Sequence, residues 1–261
     1  MKLPIYWIDV FTRQKYCGNP AAVIPLENWL EDSEMQLIAF ENGLAETAFF
    51  VPSKSGQYHL RWFTPTAEDD LCGHATLATA FTLFQHLGSV GDHITFNTRS
   101  GDLLVSRTSD DRLKLDFPSR RAKPVATPAA IIKGLGAEPT YFAQAEANLA
   151  VFATASDILS ITPDFAALAT LEQYGTIVTA PGDDCDFVSR FFAPGVGVDE
   201  DPVTGSAHCV LTPYWADRLG KNQLYAKQLS QRGGELWCEL HKDRVHIMGH
   251  ARLYLEGNVS I

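Results

Sequence analysis

The sequence predicts an α+β protein of two pseudo-symmetric halves, each a curled, mostly antiparallel sheet around a central helix. Three observations lead there. The chain matches itself once at about half its length, each half carries one helix-like run of small and apolar residues between strand-like runs, and a proline-rich stretch separates the halves.

The self-match is direct. Tyr58-His-Leu-Arg-Trp-Phe-Thr-Pro65 aligns with Phe187-Val-Ser-Arg-Phe-Phe-Ala-Pro194 at an offset of 129. After a three-residue insertion the offset becomes 132, pairing Gly73 with Gly205, Leu87-Gly88 with Leu219-Gly220, Gly101 with Gly233 and Arg112 with Arg244. Each half then runs in one order: a strand ending in proline, an acidic loop, a glycine at a helix start, a helix ending at Leu-Gly, then strands. Ala75 to Leu87 reads as a nearly surrounded helix stopped by Gly88 at its C-cap. Its counterpart, Ala207 to Leu219, ends at Gly220 and contains Pro213, which predicts a kink or a shortened first turn. Strands are expected at Ile94–Asn97, Leu103–Arg107, Leu113–Phe117, Leu236–Leu240 and Arg244–Met248. Alternation in Lys114-Leu-Asp-Phe117 and Arg244-Val-His-Ile-Met248 is of the half-buried antiparallel kind. The stretch Pro118 to Pro128 reads as a linker. The expected domains are residues 1–118 and 128–249 with a linker at about 119–127, and the C-terminal strand 250–261 is available to join the first half.

Bulk composition narrows the functional classes. With 46% hydrophobic and 20% charged residues in 261, the chain has the make-up of a folded globular protein of one or two domains. The first nine residues hold one lysine, Pro4 and Asp9, which leaves no apolar core of signal-peptide length. That predicts a cytoplasmic protein. The best membrane candidate, Ala75 to Phe84, is interrupted by threonine and too short to span a bilayer. Five dispersed cysteines without a Cys-x-x-Cys pair argue against a disulfide framework and a zinc knuckle. A net charge of −10 opposes binding to nucleic acid or anionic lipid.

The residues able to carry chemistry gather at the helix starts. Asp69-Asp-Leu-Cys-Gly-His-Ala-Thr76 precedes the first helix and Asp199-Glu-Asp-Pro-Val-Thr-Gly-Ser-Ala-His208 the second. Gly73 and Gly205 each open a helix whose first N–H groups are unsatisfied, and such ends attract anions. Two of them facing one cleft would hold a carboxylate without a buried arginine, which suits an acidic protein. Asp201 stands before Pro202, biased away from helical geometry, with its carboxylate at the second helix mouth. From local sequence alone, Asp201 and Ser206 read first as ordinary helix caps. Glu46 lies in Leu44-Ala-Glu-Thr-Ala-Phe-Phe50, an apolar strand-like run where a carboxylate is out of character. An inward-facing carboxyl is raised above its usual pKa of about 4.3 and becomes a proton carrier at neutral pH. Alternation also allows Glu46 on the solvent face of an edge strand. Cys72 two residues before His74 has the composition of an activated thiol, but this spacing does not specify a pair and simple packing explains Cys72 as well. Its repeat partner is Thr204, so a symmetric two-thiol mechanism is not available. His74, His208, Asp69, Asp70 and Asp201 show no metal-ligand spacing. Gly134-Leu-Gly-Ala-Glu-Pro139 departs from a dinucleotide fingerprint, and no phosphate-binding or nucleophile-elbow motif occurs. No metal and no cofactor are expected.

Taken together, Asp9-Val-Phe, Gly18-Asn-Pro-Ala-Ala-Val23, Ala45-Glu-Thr-Ala-Phe49, Arg61-Trp-Phe-Thr-Pro65, Cys72-Gly-His-Ala-Thr-Leu-Ala-Thr-Ala80 and Asp201-Pro-Val-Thr-Gly-Ser-Ala207 resemble the PhzF-like family of phenazine-biosynthesis isomerase homologues. The resemblance spans nearly the whole chain, in the family's motif order. It implies a diaminopimelate epimerase-like fold with the active site between the halves. It implies that Glu46 is the general acid/base moving a proton between carbons of a small carboxylate, that His74 and Asp201 assist, and that Gly73 and Ser206, with Gly205, Thr204 and Cys72 beside them, bind substrate. A homodimer is implied as well. Two departures stand out: Thr204 replaces the second thiol of the fold's cysteine-dependent epimerases, and Ala45 stands where family members often carry serine. An epimerase or racemase with Cys72 as a base, or a non-catalytic small-molecule binder, are the alternatives.

Overall fold

Runs rich in valine, isoleucine, phenylalanine and alanine become strands, and the two small-residue runs become the helices those strands enclose. The computed structural model describes residues 1–54 and 57–261 and separates into two units, Met1–Asp116 with Met248–Ile261, and Phe117–Ile247.

In the first unit the elements are β1 (Lys2–Val10), β2 (Asn19–Pro25), α1 (Asp32–Asn42), β3 (Glu46–Pro52), β4 (Gln57–Phe63), β5 (Glu68–Asp69), α2 (Gly73–Gln85), β6 (His93–Thr98), β7 (Gly101–Arg107) and most of β8 (Leu113–Pro118), joined by the C-terminal β17 (Ala251–Ser260). Strand β17 pairs antiparallel with β1 and β1 with β2; β2–β3 is parallel, β3–β4 antiparallel, β4–β6 parallel, and β6–β7 and β7–β8 antiparallel. Helix α2 packs on β1, β2, β3, β7 and β17. Contact with both ends of one strand series requires the sheet to curl around the helix. Ten of the thirteen residues of α2 are buried, the pattern of a helix enclosed on all sides. Three of them are threonines, and Thr76, Thr79 and Thr82 donate their hydroxyls to the carbonyls of Cys72, Ala75 and Ala78 at 2.5, 2.8 and 2.9 Å. That removes the cost of burying a hydroxyl unpaired.

The second unit comprises β9 (Lys123–Pro124), α3 (Ala129–Leu135), β10 (Tyr141–Gln144), β11 (Asn148–Val151), α4 (Ala155–Ser160), α5 (Phe165–Leu168), β12 (Thr176–Pro181), β13 (Phe187–Phe192), α6 (Gly205–Leu219), β14 (Gln223–Gln228), β15 (Gly234–His241) and most of β16 (Arg244–Gly249). Pairing from β10 through β15 is antiparallel, parallel, antiparallel, parallel, antiparallel. The series β1, β2, β3, β4, β6, β7 shows the same succession, so the repeat read from the sequence extends to strand order and direction. Helix α6 packs on β14 and β15, and its Trp215 stacks on Phe187 at 5.7 Å while its indole N–H donates to Thr179 at 3.0 Å.

The expected helices and strands are present, each within a few residues of its expected ends. Helix α2 stops earlier than Leu87: His86 is the C-cap, and Gly88 takes the left-handed conformation beyond it (φ 68°) as Ser89 donates to the Leu83 carbonyl at 2.9 Å. Helix α6 does end at Gly220. Pro213 does not shorten it. A proline at 213 cannot donate to Cys209, and the amide of Arg120 donates to that carbonyl instead, at 2.9 Å. The stretch 119–127 is accordingly docked rather than free: Ser119 donates to Asp243 at 2.8 Å, and β9 pairs with β10. No helix among the described residues is long and apolar enough to cross a membrane.

Two left-handed glycines separate conformational need from steric need. Gly43 (φ 61°) ends α1 with open space where a Cβ would stand, whereas a Cβ on Gly18 (φ 72°) would lie 2.1 Å from the Val10 carbonyl oxygen. Gly43→Ala is expected to cost about 1 kcal/mol and Gly18→Ala about 3 kcal/mol or more, read by urea denaturation. Equal losses would refute the steric account.

Candidate functional site

Glu46 is the first residue of β3, entered from the left-handed Gly43 that ends α1. Strand β3 lies between β2 and β4, with α1 and α2 both packed on it, so six of its seven residues are buried. The solvent-face alternative therefore falls. Glu46 stands opposite Ala21 on the parallel partner and is 5% exposed.

The ladders also show what stands at the same place in the second unit. Thr47 pairs with Phe63 and Thr176 with Phe192, so Thr176 corresponds to Thr47 and Gly175 to Glu46. A Cβ at Gly175 would lie 2.2 Å from the Phe191 ring. The second unit has no room for a side chain there, and the carboxylate is present once.

Helix α2 opens at Gly73 with no side-chain cap and no acid in its first turn, which leaves the positive end of its dipole uncompensated by its own residues. Its N-cap Cys72 is extended, and the thiol sulfur lies 3.3 Å from Nδ1 of His74, both side chains buried. The pair that the spacing did not specify is thus formed, because the first helical turn folds residue 74 back toward residue 72.

The corresponding turn in the second unit is built differently. Thr204 is the N-cap of α6, but its hydroxyl donates to the Asp201 carboxylate at 2.5 Å rather than accepting from the helix. Neither Asp201 nor Ser206 is the cap. Ser206 is exposed, 3.1 Å from the hydroxyl of Tyr174, whose phenol burial pushes above its ordinary pKa. Asp201 and Thr204 are brought together, as are Cys72 and His74; Gly205 and Gly73 begin their helices in both units.

Each acidic loop is pinned by an arginine fork. Arg61 meets Glu68 through two bonds of 2.7 Å, and Arg190 meets Glu200 at 2.8 and 3.0 Å. Bidentate guanidinium–carboxylate pairs fix both distance and plane. Arg190 also donates to the carbonyls of Ile158 and Ile161, 2.9 Å each. These four residues are not marked as functional supports by sequence alone, although the self-match aligns Arg61 with Arg190. Gln228 was missed too. It lies 1% exposed at the end of β14, bonded to both Asp201 and Thr204.

No cluster able to hold a metal ion occurs among the described residues. His208 is fully buried in α6, its Nδ1 2.8 Å from the Thr204 carbonyl and its ring 5.8 Å from that of Phe187. It is a packed histidine, not a ligand.

The fold has known company. A hydroxyproline epimerase from Agrobacterium vitis, solved with bound trans-4-hydroxy-L-proline, matches with a TM-score of 0.64 at 9% identity over 99% of this chain and 92% of that one. At that identity the likeness is one of fold alone: the chain has the α+β, diaminopimelate epimerase-like fold that epimerases and racemases also use. The model of the phenazine biosynthesis-like protein family matches residues 8–257, and the chain belongs to that family. An "uncharacterized isomerase" of Pseudomonas aeruginosa is 48% identical over 261 residues, the whole of both chains. A crystal structure of a PhzF-family phenazine biosynthesis protein from Enterococcus faecalis matches with a TM-score of 0.97 at 44% identity, covering 100% of each chain. The isomerase class expected from the sequence agrees with these relatives.

Burial lowers the His208 pKa from 6.5 to about 4. Between those values the unfolded chain takes up a proton that the folded chain refuses, so stability present above pH 6.5 is lost as pH falls toward 4. A loss of about 3 kcal/mol from this group is expected across that window. Urea midpoints should show a smaller drop between pH 7 and pH 4.5 in His208→Gln; a drop equal to wild type would remove His208 as the cause.

Proposed function

We propose that the chain is a cofactor-independent isomerase that moves a proton between carbons of a small carboxylate substrate, with Glu46 as the general acid/base. The observation that carries this reading is a single carboxylate buried at the head of β3, matched in the other unit by a glycine with no space for a side chain. One group that takes a proton from one carbon and returns it to another needs no second base. The electron pair left on the first carbon passes into adjacent unsaturation, and the new C–H bond forms at its far end. In this reading His74 and Asp201 handle protons or hydrogen-bond the developing charge. Gly73, Gly205 and Ser206 at the helix starts receive the carboxylate, as oriented N–H groups suit an anion. Family membership supports the isomerase class, and the family resemblance supports these roles.

A second reading has its own observation. Cys72 lies 3.3 Å from His74 Nδ1, an arrangement that can draw a proton from a thiol, so Cys72 is an alternative base for epimerisation. Thr204 at the matching position favours the single-carboxylate chemistry.

The test incubates wild type, Glu46→Gln and Cys72→Ala in heavy water with L-proline, trans-4-hydroxy-L-proline and 2-methylitaconate, following deuterium uptake by mass spectrometry. Glu46→Gln should lose 10²-fold to about 10⁴-fold in labelling rate. Full labelling by that variant would end the Glu46 reading, and loss on Cys72→Ala alone would establish the thiol reading. Thermal stabilisation by an acid that is never labelled would instead mark a binder.

A further inference from the structure

We infer that Gln228 is a positioning residue that sets the Asp201 carboxylate, through a three-bond clamp on the Asp201–Thr204 turn. The inference rests on the proposed role of Asp201 in proton handling. The turn is unstable by its own composition: Asp199, Glu200 and Asp201 are consecutive acids, and Pro202 contributes no N–H. Like charges in sequence repel, so each needs an external partner to hold one geometry. Glu200 has the Arg190 fork. For Asp201 the structure supplies the buried amide of Gln228. Its Oε1 accepts from the Thr204 backbone at 2.8 Å, while its Nε2 donates to the Asp201 carbonyl at 2.8 Å and to the Thr204 hydroxyl at 3.2 Å. The Thr204 hydroxyl, receiving from Gln228, donates its own hydrogen bond to Asp201 Oδ2. A primary amide fits because it offers an acceptor and two donors at once; an ionised carboxylate or an alkyl chain of similar size does not. Bonds in such a chain polarise one another, and the last link aims the carboxylate.

The two units separate this clamp from mere architecture. Tyr58 pairs with Phe96 and Phe187 with Ala226, so the strand register, two residues short of the 132 offset of the self-match, makes Gln228 correspond to Thr98 and Ser230 to Ser100. The serine tie is present in both: Ser100 donates to the Asp70 carbonyl at 2.8 Å and Ser230 to the Pro202 carbonyl at 2.7 Å. The clamp is not. Thr98, a residue without an amide side chain, bonds to Gly101 instead. The shared serine builds the turn; the unshared glutamine serves what differs in the second unit, the Asp201–Thr204 hydrogen bond.

Gln228→Leu and Gln228→Glu in the full chain test the inference. Amide hydrogen exchange needs no substrate: Gln228→Leu should speed exchange across residues 201–206 by roughly tenfold or more while the α2 segment keeps its wild-type rate. In deuterium labelling of trans-4-hydroxy-L-proline, L-proline or 2-methylitaconate, Gln228→Leu should lower kcat by about 10²-fold with KM little changed. Gln228→Glu should recover rate relative to wild type as pH falls and its carboxyl gains the proton that lets it donate, a rescue that a purely structural role would not produce. Wild-type exchange across 201–206, or wild-type kcat in Gln228→Leu, overturns the clamp. Wild-type kcat in Asp201→Asn overturns the reading of Asp201 beneath it, whereas an inactive Asp201→Asn beside a fully active Gln228→Leu overturns the clamp alone.

Discussion

The structure depends on one constraint: in the first unit a helix without a solvent face must lie inside a sheet. Once α2 is enclosed, every strand that touches it has to present apolar or self-satisfied surface, which is why its threonines return their hydroxyls to their own helix. Polar chemistry is thereby excluded from the flanks and confined to the helix ends. The N-terminal ends of α2 and α6, each opened by a glycine and uncapped by a side chain, carry residues of the proposed site: Cys72 and His74 in one unit, Thr204 and Ser206 in the other.

The loops that deliver those ends are acidic, and they are ordered by contacts of graded burial. The Arg61–Glu68 and Arg190–Glu200 forks sit where each guanidinium is mostly covered, so geometry rather than bulk charge is what they contribute. Exposed pairs on the same loops, such as Arg99 with Asp70, are screened and set little. The acidic surface and the proposed carboxylate site are compatible on this basis, since the anion would meet backbone dipoles while Glu68 and Glu200 are already engaged by arginine.

Much of this was legible in the sequence because it is local or periodic. The self-match, the small-residue helices, the Gly220 stop and the antiparallel alternation are short-range signals, and all correspond to elements in place. Glu46 could not be placed by alternation, because β3 is covered on both faces and a strand covered twice has no polar phase to read. Cys72 and His74 met only once the first helical turn existed. Gln228 was invisible for a different reason: its partners are a turn 24 and 27 positions away, and a glutamine at a strand end has no motif. The 119–127 stretch looked like a linker because prolines and charges look solvated. Its true partner is a carbonyl released by another proline ninety-three positions on, a pairing between two local exceptions that neither announces alone.

Gly175 gives the internal repeat a direction in time. A duplicated segment begins with two equal copies, and here the acid stands in one of them and a glycine in the other. With the Phe191 ring filling the space beside Gly175, restoring a carboxylate there would require a second change to clear the ring first. A single substitution at Gly175 therefore meets that ring before it meets any chemistry, and packing alone holds the difference between the two copies at this position.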